Sequence, residues 1–454
     1  MVNRLATRVS ISAFLCAAVP FCLALSAQTT DLPPDVLFLS RSTRHISQAI
    51  ASFSNYTCTE TIDREQKKPA ANSFQRIDLV RLEVAKTGAK ELFAWPGAAR
   101  FEDRPITDFV GGGLIGNGVY SLFAEDIFVN HAASMKVFGP EQLRGRPAVR
   151  VDYTVHPMKS AFTITTAAGS AVVNYSGSYW VDPNTLDLLR LDIAAEEIPA
   201  QLGLSSIGMS IEYGTRMSRN RPVVMALSSV IEMAHFSGDI SRDDIEFTNC
   251  REFSGDANLI FGSEETVNSS EGHPIAGKTF VLPGDLTIAL RLEKPIDGRT
   301  ASVGDAIEAR VENDVRDRHR VWLPKGVLVH GRIRRLEYRA QQSSYVLAGL
   351  EFSEAEVGND RAEFIAQLES IQPSAAVEMD HAERKTSIRV NRPYGAGSGG
   401  TQQTTIVEAF DRELAGVGYL YLTSEPFRLP EGFRTVWKTS NLRIRIGSDP
   451  RGHS

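Results

Sequence analysis

Over most of its length this chain alternates apolar and polar residues one by one, and that period of two is what a half-buried strand requires and a helix cannot satisfy. In "RPAVRVDYTVHP", Val149, Val151, Tyr153 and Val155 fall on one face while Arg150, Asp152 and Thr154 fall on the other. The same alternation runs from Tyr56 to about Phe101, from Met135 to Phe261, and again after residue 280, with Leu286, Ile288, Leu290 and Leu292 on one face. Turn residues punctuate it. Asp182-Pro183-Asn184 predicts a hairpin turn, because proline presets its own φ and the flanking Asp and Asn side chains bond back to the backbone.

One segment breaks the rule. Pro33, Pro34 and Asp35 suit a helix start, and Val36, Leu39, Ile46, Ile50 and Phe53 follow at helical spacing, so an amphipathic helix leads the first domain. A second helix is expected at Tyr120 to Val129. The fold class is therefore mainly β, with an α+β first domain: a curved antiparallel half-barrel sheet with an N-terminal helix over residues 31–262, then a small β-barrel domain over 280–446. Residues 263–279 lose the periodicity and read as a linker, and 392–405, "RPYGAGSGGTQQTT", reads as a flexible Gly/Ser/Gln/Thr loop. In the second domain "LPGD" at Leu282, "LPKG" at Leu323 and "LPEG" at Leu429 each place Pro and Gly before a strand, one hairpin device used three times.

The first 27 residues read as a secretory signal peptide: Arg4 and Arg8, an apolar run from Ile11 to Leu25, and small residues at Ala24, Ser26 and Ala27. The expected location is periplasmic or otherwise extracytoplasmic, with retention of the leader as an anchor as the other reading. Its removal leaves Cys58 and Cys250, and two lone cysteines in an oxidising compartment predict one disulfide joining the first and last strands of the first domain.

Two resemblances follow from these segments. The leading helix, the "RGRPAVRVDY" strand and the "YWVDPNTLDLLRLD" hairpin resemble the periplasmic lipoprotein-carrier family. That likeness implies a half-barrel wrapped around helices, acyl chains held in the concavity, and a lipid or lipoprotein ligand, and it transfers no individual site residue. The second half, with Val303-Gly304-Asp305 and Leu323-Pro324-Lys325-Gly326, is similar to the β-barrel of TrbI-type conjugation-channel proteins. The leader and a different first domain depart from that family's anchored, Pro-rich stalk.

Chemistry is sparse. Gly111, Gly113 and Gly116 in "DFVGGGLIGNGVYSLFAED" have the G-x-G-x-x-G spacing of a pyrophosphate loop, but the surroundings are antiparallel and no βαβ unit follows, so no cofactor is expected. Gly111, Gly112, Gly113, Gly116 and Gly118 read instead as a mobile lip able to gate the concavity. No H-E-x-x-H or G-x-S-x-G signature is present, and neither metal nor catalytic residues are expected. Arg316, Arg318, Arg320, Lys325, Arg332, Arg334, Arg335 and Arg339 form a cationic run that fits an anionic partner surface; a solvated face neutralised by acids from other strands is the competing reading. The net charge of −6 over 454 residues gives no reason to expect nucleic acid. The sequence thus favours a non-enzymatic envelope protein that binds an apolar or amphiphilic ligand in its first domain and a partner or anionic surface through its second. The alternatives are an assembly protein of the envelope without a small-molecule ligand, and a hydrolase using His235 and Asp239, which only a sharp bend at Gly238 would bring together.

Overall fold

A computed structural model describes residues 32–51, 55–87, 90–98, 101, 104–117, 122–218, 221–252, 277–318, 320–340, 344–372, 377–379, 406–409, 414–423 and 426–441. The leader, Gly118, most of the 263–279 segment and the 392–405 loop lie outside the described residues.

Helix α1 (Pro34–Ala51) opens where the prolines place it, with the Val36 and Leu37 N–H groups bonding to the Pro33 carbonyl, and it buries Ile46. Thirteen strands follow in the first half: β1 (Asn55–Lys67), β2 (Gln75–Thr87), β3 (Lys90–Ala94), β4 (Gly113–Gly116), β5 (Ala133–Leu143), β6 (Arg146–Val155), β7 (Thr163–Thr166), β8 (Gly169–Val172), β9 (Asn174–Val181), β10 (Leu188–Glu196), β11 (Leu204–Ser218), β12 (Arg221–His235) and β13 (Ile240–Glu252). Ten of them make one antiparallel sheet, ordered β3-β2-β1-β13-β12-β11-β10-β9-β6-β5, which curls into a half-barrel. The alternation reads through from Arg150 to Val155, with Val151, Tyr153 and Val155 of β6 buried while Arg150 and Asp152 meet Ser178 on the outer face; Val149 is only half-buried and the neighbouring Ala148 is buried. At the β9–β10 turn the Asp182 carboxylate accepts the Asn184 N–H at 2.8 Å, the bond the sequence predicts. The Cys58–Cys250 disulfide ties β1 to β13, the first and last strands of this sheet in chain order.

The expected second helix is a single α-turn, Leu122–Ala124, continuing into a π-turn, Glu125–Val129. Phe123 packs edge-on against Tyr175, and Phe128 against Tyr179, on the sheet's inner face.

In the second half, the strands Thr287–Leu292, Ala306–Val311, Leu328–Ala340, Ser344–Val357, Ala366–Ile371, Val417–Leu422 and Arg434–Thr439 pair in one sheet. Val417–Leu422 pairs with Ser344–Val357 on one side and lies against Ala366–Ile371 on the other, so the sheet rolls into a barrel around Trp437 and Phe352. Gly326 and Gly432 take positive φ in two of the three Leu-Pro turns; in "LPGD" Asp285 does so instead of Gly284.

The two halves are joined by backbone as well as side chains. The part of β2 that β3 leaves uncovered pairs with Val303, whose N–H and carbonyl bond to Leu79 and Arg81 at 2.8 Å each. Arg81 donates to Asp305, and Gly304, at φ +103°, lies where a Cβ would stand 2.2 Å from the Arg81 carbonyl and 3.0 Å from Trp95. The Val-Gly-Asp turn singled out in the sequence is thus a clasp between the halves. Gly304→Ala combines a disfavoured backbone with a backbone clash and is expected to lower stability by about 3 kcal/mol, read as a shift in the urea midpoint; an unchanged midpoint would show that the clasp is dispensable.

Candidate functional site

The inner face of the half-barrel, where the carrier resemblance places a ligand, is occupied by the chain itself. A four-stranded sheet ordered β4, Ile406–Ala409, β7, β8 brings a segment of the second half into the first: Ile406–Ala409 pairs antiparallel with β4 and parallel with β7. Leu114, Ile115 and Gly116 are buried against the large sheet. The Gly116 N–H donates to Asp243 at 2.8 Å, and a Cβ at Gly116 would stand 2.0 Å from Ile231.

Beneath β4 lies a cluster of buried charge. Arg64 grips Asp78 with two bonds, Nε to Oδ1 at 2.7 Å and Nη2 to Oδ2 at 2.5 Å, and its Nη1 donates to the Gly112 carbonyl at 2.8 Å. Burial would lower the Arg64 pKa, but the charges of Asp78, Asp243 and Glu337 hold the guanidinium protonated. Asp243 is pushed up to about 7 by burial, an effect that Arg64 and the Gly116 N–H only partly offset. Glu60 is raised by burial and by the nearby Glu91 and Asp243, and its Oε2, like the Ser229 hydroxyl, is buried without a hydrogen-bond partner among the described residues. Among the described residues no group of three or more His, Cys, Asp or Glu is placed to hold a metal ion. The sequence carries a signal that went unread: Glu60, Arg64, Asp78 and Asp243 all sit on the apolar stripe of their strands, where a charge needs a partner.

The described glycines of the 111–116 stretch stand in close contacts. Gly113 and Gly116 bound β4, the Gly112 carbonyl serves Arg64, and Gly111 abuts the buried Arg335–Glu337 pair, with Glu337 Oε1 2.5 Å from where a Cβ would be. The lack of a side chain permits the close packing at Gly111 and Gly116, while Gly118 lies outside the described residues.

The cationic run divides in two. Arg332, Arg334, Arg335 and Arg339 lie on the Leu328–Ala340 strand and are spent inside the protein. Arg332 bonds to the Pro96 carbonyl at 3.0 Å, and burial lowers its pKa to about 10. Arg332 and Arg334 both lie over the Trp95 ring, and Arg334 bonds to Glu351 at 2.5 Å. Arg335, only 6% exposed, and Arg339 share Glu337. A break in strand pairing between Ile333 and Arg335 turns Arg335 inward, which alternation alone does not foresee. Arg316, Arg318, Arg320 and Lys325 remain exposed on and beside a small hairpin. The eight do not form one surface.

His235 and Asp239 are brought together by a bend at Gly238, but only through backbone: the His235 N–H bonds to the Asp239 carbonyl at 2.9 Å. The Asp239 carboxylate pairs with Lys68 at 2.9 Å, and the His235 ring meets the Ser241 hydroxyl at 3.1 Å.

An open site lies elsewhere. Between α1 and β5 runs a groove of about 590 Å³ with Leu39, Ala133 and Met135 along its floor and Ser40, Gln48, Arg44 and His131 at its rim. Arg44 and His131 are exposed, and neither has an acidic partner among the described residues. β5 is the free edge of the ten-stranded sheet, and Val36 is exposed at the groove mouth. Of the apolar face read from the sequence, Ile46 is buried while Val36 at the helix start is exposed.

No family model and no curated protein matches this chain. Among solved structures it is similar to an outer membrane lipoprotein-sorting protein domain from Vibrio parahaemolyticus, with 9% identity and a TM-score of 0.28 over 48% of this chain and 94% of that one. A DUF1329 family protein from Desulfovibrio piger aligns equally, at 10% identity, TM-score 0.28 and coverages of 48% and 94%. MucB in complex with MucA(peri) aligns over 87% of this chain and 99% of its own at 11% identity and a TM-score of 0.14. None of these three is a conjugation-channel barrel, and at such scores none decides what this chain binds.

Proposed function

We propose that this chain is a non-enzymatic binding protein of the cell envelope that takes a single-chain amphiphile with an anionic head in the groove between α1 and β5. The observation that supports this is the groove itself: an apolar floor under a polar rim carrying Arg44 and His131, of a size within the usual 300–1,000 Å³ range for small-molecule sites. The leader at residues 1–27 supports export. The filled inner face moves the ligand site out of the concavity that the carrier resemblance implies. The free edge of β5 favours a second reading, in which an extended segment of another protein adds to the sheet and lays its side chains in the same groove.

A dansyl-labelled fatty acid titrated into the purified, unreduced chain tests the first reading. Saturable binding at one per chain is expected, with Ser40→Trp, which fills the groove from an exposed helix position, weakening it about tenfold, equivalent to roughly 1.4 kcal/mol. Absence of saturable binding, or identical binding by Ser40→Trp, would discard the amphiphile in favour of the peptide reading.

A further inference from the structure

We infer that the hairpin around Arg316–Leu323, together with the Thr279–Val281 strand beside it, docks the barrel onto an anionic lipid surface. Four cations, Arg316, Arg318, Arg320 and Lys325, are exposed here, against the two acids Asp314 and Asp317. Those acids are engaged in shaping the hairpin. Asp317 accepts the Arg320 N–H at 2.9 Å and the Trp322 Nε1–H at 2.9 Å; Asp314 accepts the Lys325 N–H at 2.9 Å and pairs with Arg316 at 3.0 Å. Asp314 and Asp317 meet Lys325 and Arg320 through backbone N–H groups, and the side-chain cations of Arg318, Arg320 and Lys325 have no ion pair with an acid among the described residues. The result is a local excess of positive charge on a chain whose net charge is −6.

Charge alone would suit any polyanion. What narrows the partner is the apolar material set among the cations. Val281 is 57% exposed and Val321 43% exposed, large values for apolar side chains. Arg320 stacks on Trp322 at 3.7 Å from the ring centre and reaches toward Phe280 at 5.8 Å, and the two rings lie 6.3 Å apart. Apolar tips, an indole and guanidinium groups at one level is the composition that the boundary of a bilayer stabilises. There the cations meet phosphates, and valine and aromatic side chains enter the outer acyl layer. A soluble glycan or polyphosphate would reward the cations and leave the valines in water. The neighbouring Arg332, Arg334, Arg335 and Arg339 add nothing to this surface because they are paired inside the protein.

The experiment is co-sedimentation of the full chain with vesicles of phosphatidylcholine alone and of phosphatidylcholine with one quarter phosphatidylglycerol. Binding to the second and not the first is expected, declining as salt shortens the screening length. Arg318→Ser and Lys325→Ser, which remove side-chain cations without an ion pair among the described residues and keep the Lys325 backbone N–H bond to Asp314, should each weaken binding about fivefold. Val281→Ser with Val321→Ser should weaken it further, while circular dichroism and the thermal midpoint stay at the parent values. Equal binding to both vesicle types, or binding unmoved by the two cation variants, would overturn the assignment. So would binding that the cation variants reduce and the valine variants leave intact, since the patch would then read charge alone, as a soluble polyanion site does.

Discussion

Arg64→Met is expected to remove about 3–5 kcal/mol of stability, although Arg64 touches no ligand and lies in the middle of a strand. The guanidinium is 1% exposed and is held charged by Asp78, with smaller contributions from Asp243 and from Glu337, which also pairs with Arg335 and Arg339. Its loss strands the Asp78 carboxylate in a water-free site and leaves the Gly112 carbonyl, which Nη1 now caps, without that donor. Arg64→Lys keeps the charge but not the fork that meets both Asp78 oxygens, so it should recover only part of the loss. Arg64→Met with Asp78→Leu should be more stable than Arg64→Met alone, because the cost lies in the orphaned charge more than in the pair's net worth. Urea unfolding of the three variants decides it. A cost below about 1 kcal/mol for Arg64→Met would mean that water reaches the cluster and that β4 is a looser cover than its burial indicates.

Asp243 carries the second large effect, and its sign is opposite to the usual carboxylate. Burial raises it to about 7 in the folded chain, above its ordinary 3.8, so the folded state holds a proton the unfolded state releases. Its stabilising contribution is complete below about pH 4 and is lost as pH rises through 7; the gap is worth on the order of 4 kcal/mol. Glu60, raised by burial and by Glu91 and Asp243, pushes the same way. His235, lowered by burial from its ordinary 6.5, pushes against it as pH falls below that value. The clean measurement is therefore the difference between the parent chain and Asp243→Asn, in which His235 cancels. The amide oxygen can still accept the Gly116 N–H, and the variant should gain at least about 2 kcal/mol on the parent between pH 5 and pH 8. A difference that does not change with pH would mean Asp243 is ionised throughout.

Strand placement was legible because it is local: "RPAVRVDYTV" states its own two faces, and Asp182-Pro183-Asn184 states its own turn. The disulfide was legible by counting. The inner-face cover was not, since Ile406–Ala409 is an ordinary short apolar run whose partners, β4 and β7, lie more than two hundred residues upstream. For the same reason the basic strand 332–339 was misread as surface. Whether an arginine faces water or a neighbouring Trp95 and Glu351 is decided by the other half of the molecule, which alternation does not encode. Gly111 and Gly116 show a third kind of failure. Glycine spacing is compatible with a phosphate loop, a hinge or two tight contacts, and only the neighbours Glu337 and Ile231 choose among them.

The position of Ile406–Ala409 between β4 and β7 also fixes an order of events in folding. While the chain is being synthesised and extended, the first half can pair β1 with β2 and β9 with β10, but the cover of its inner face stays incomplete until residue 409 is available, near the C-terminus. Until then β4 and β7 present open edges, and the apolar inner face is incompletely covered. Such a topology favours late, all-at-once completion over domain-by-domain maturation.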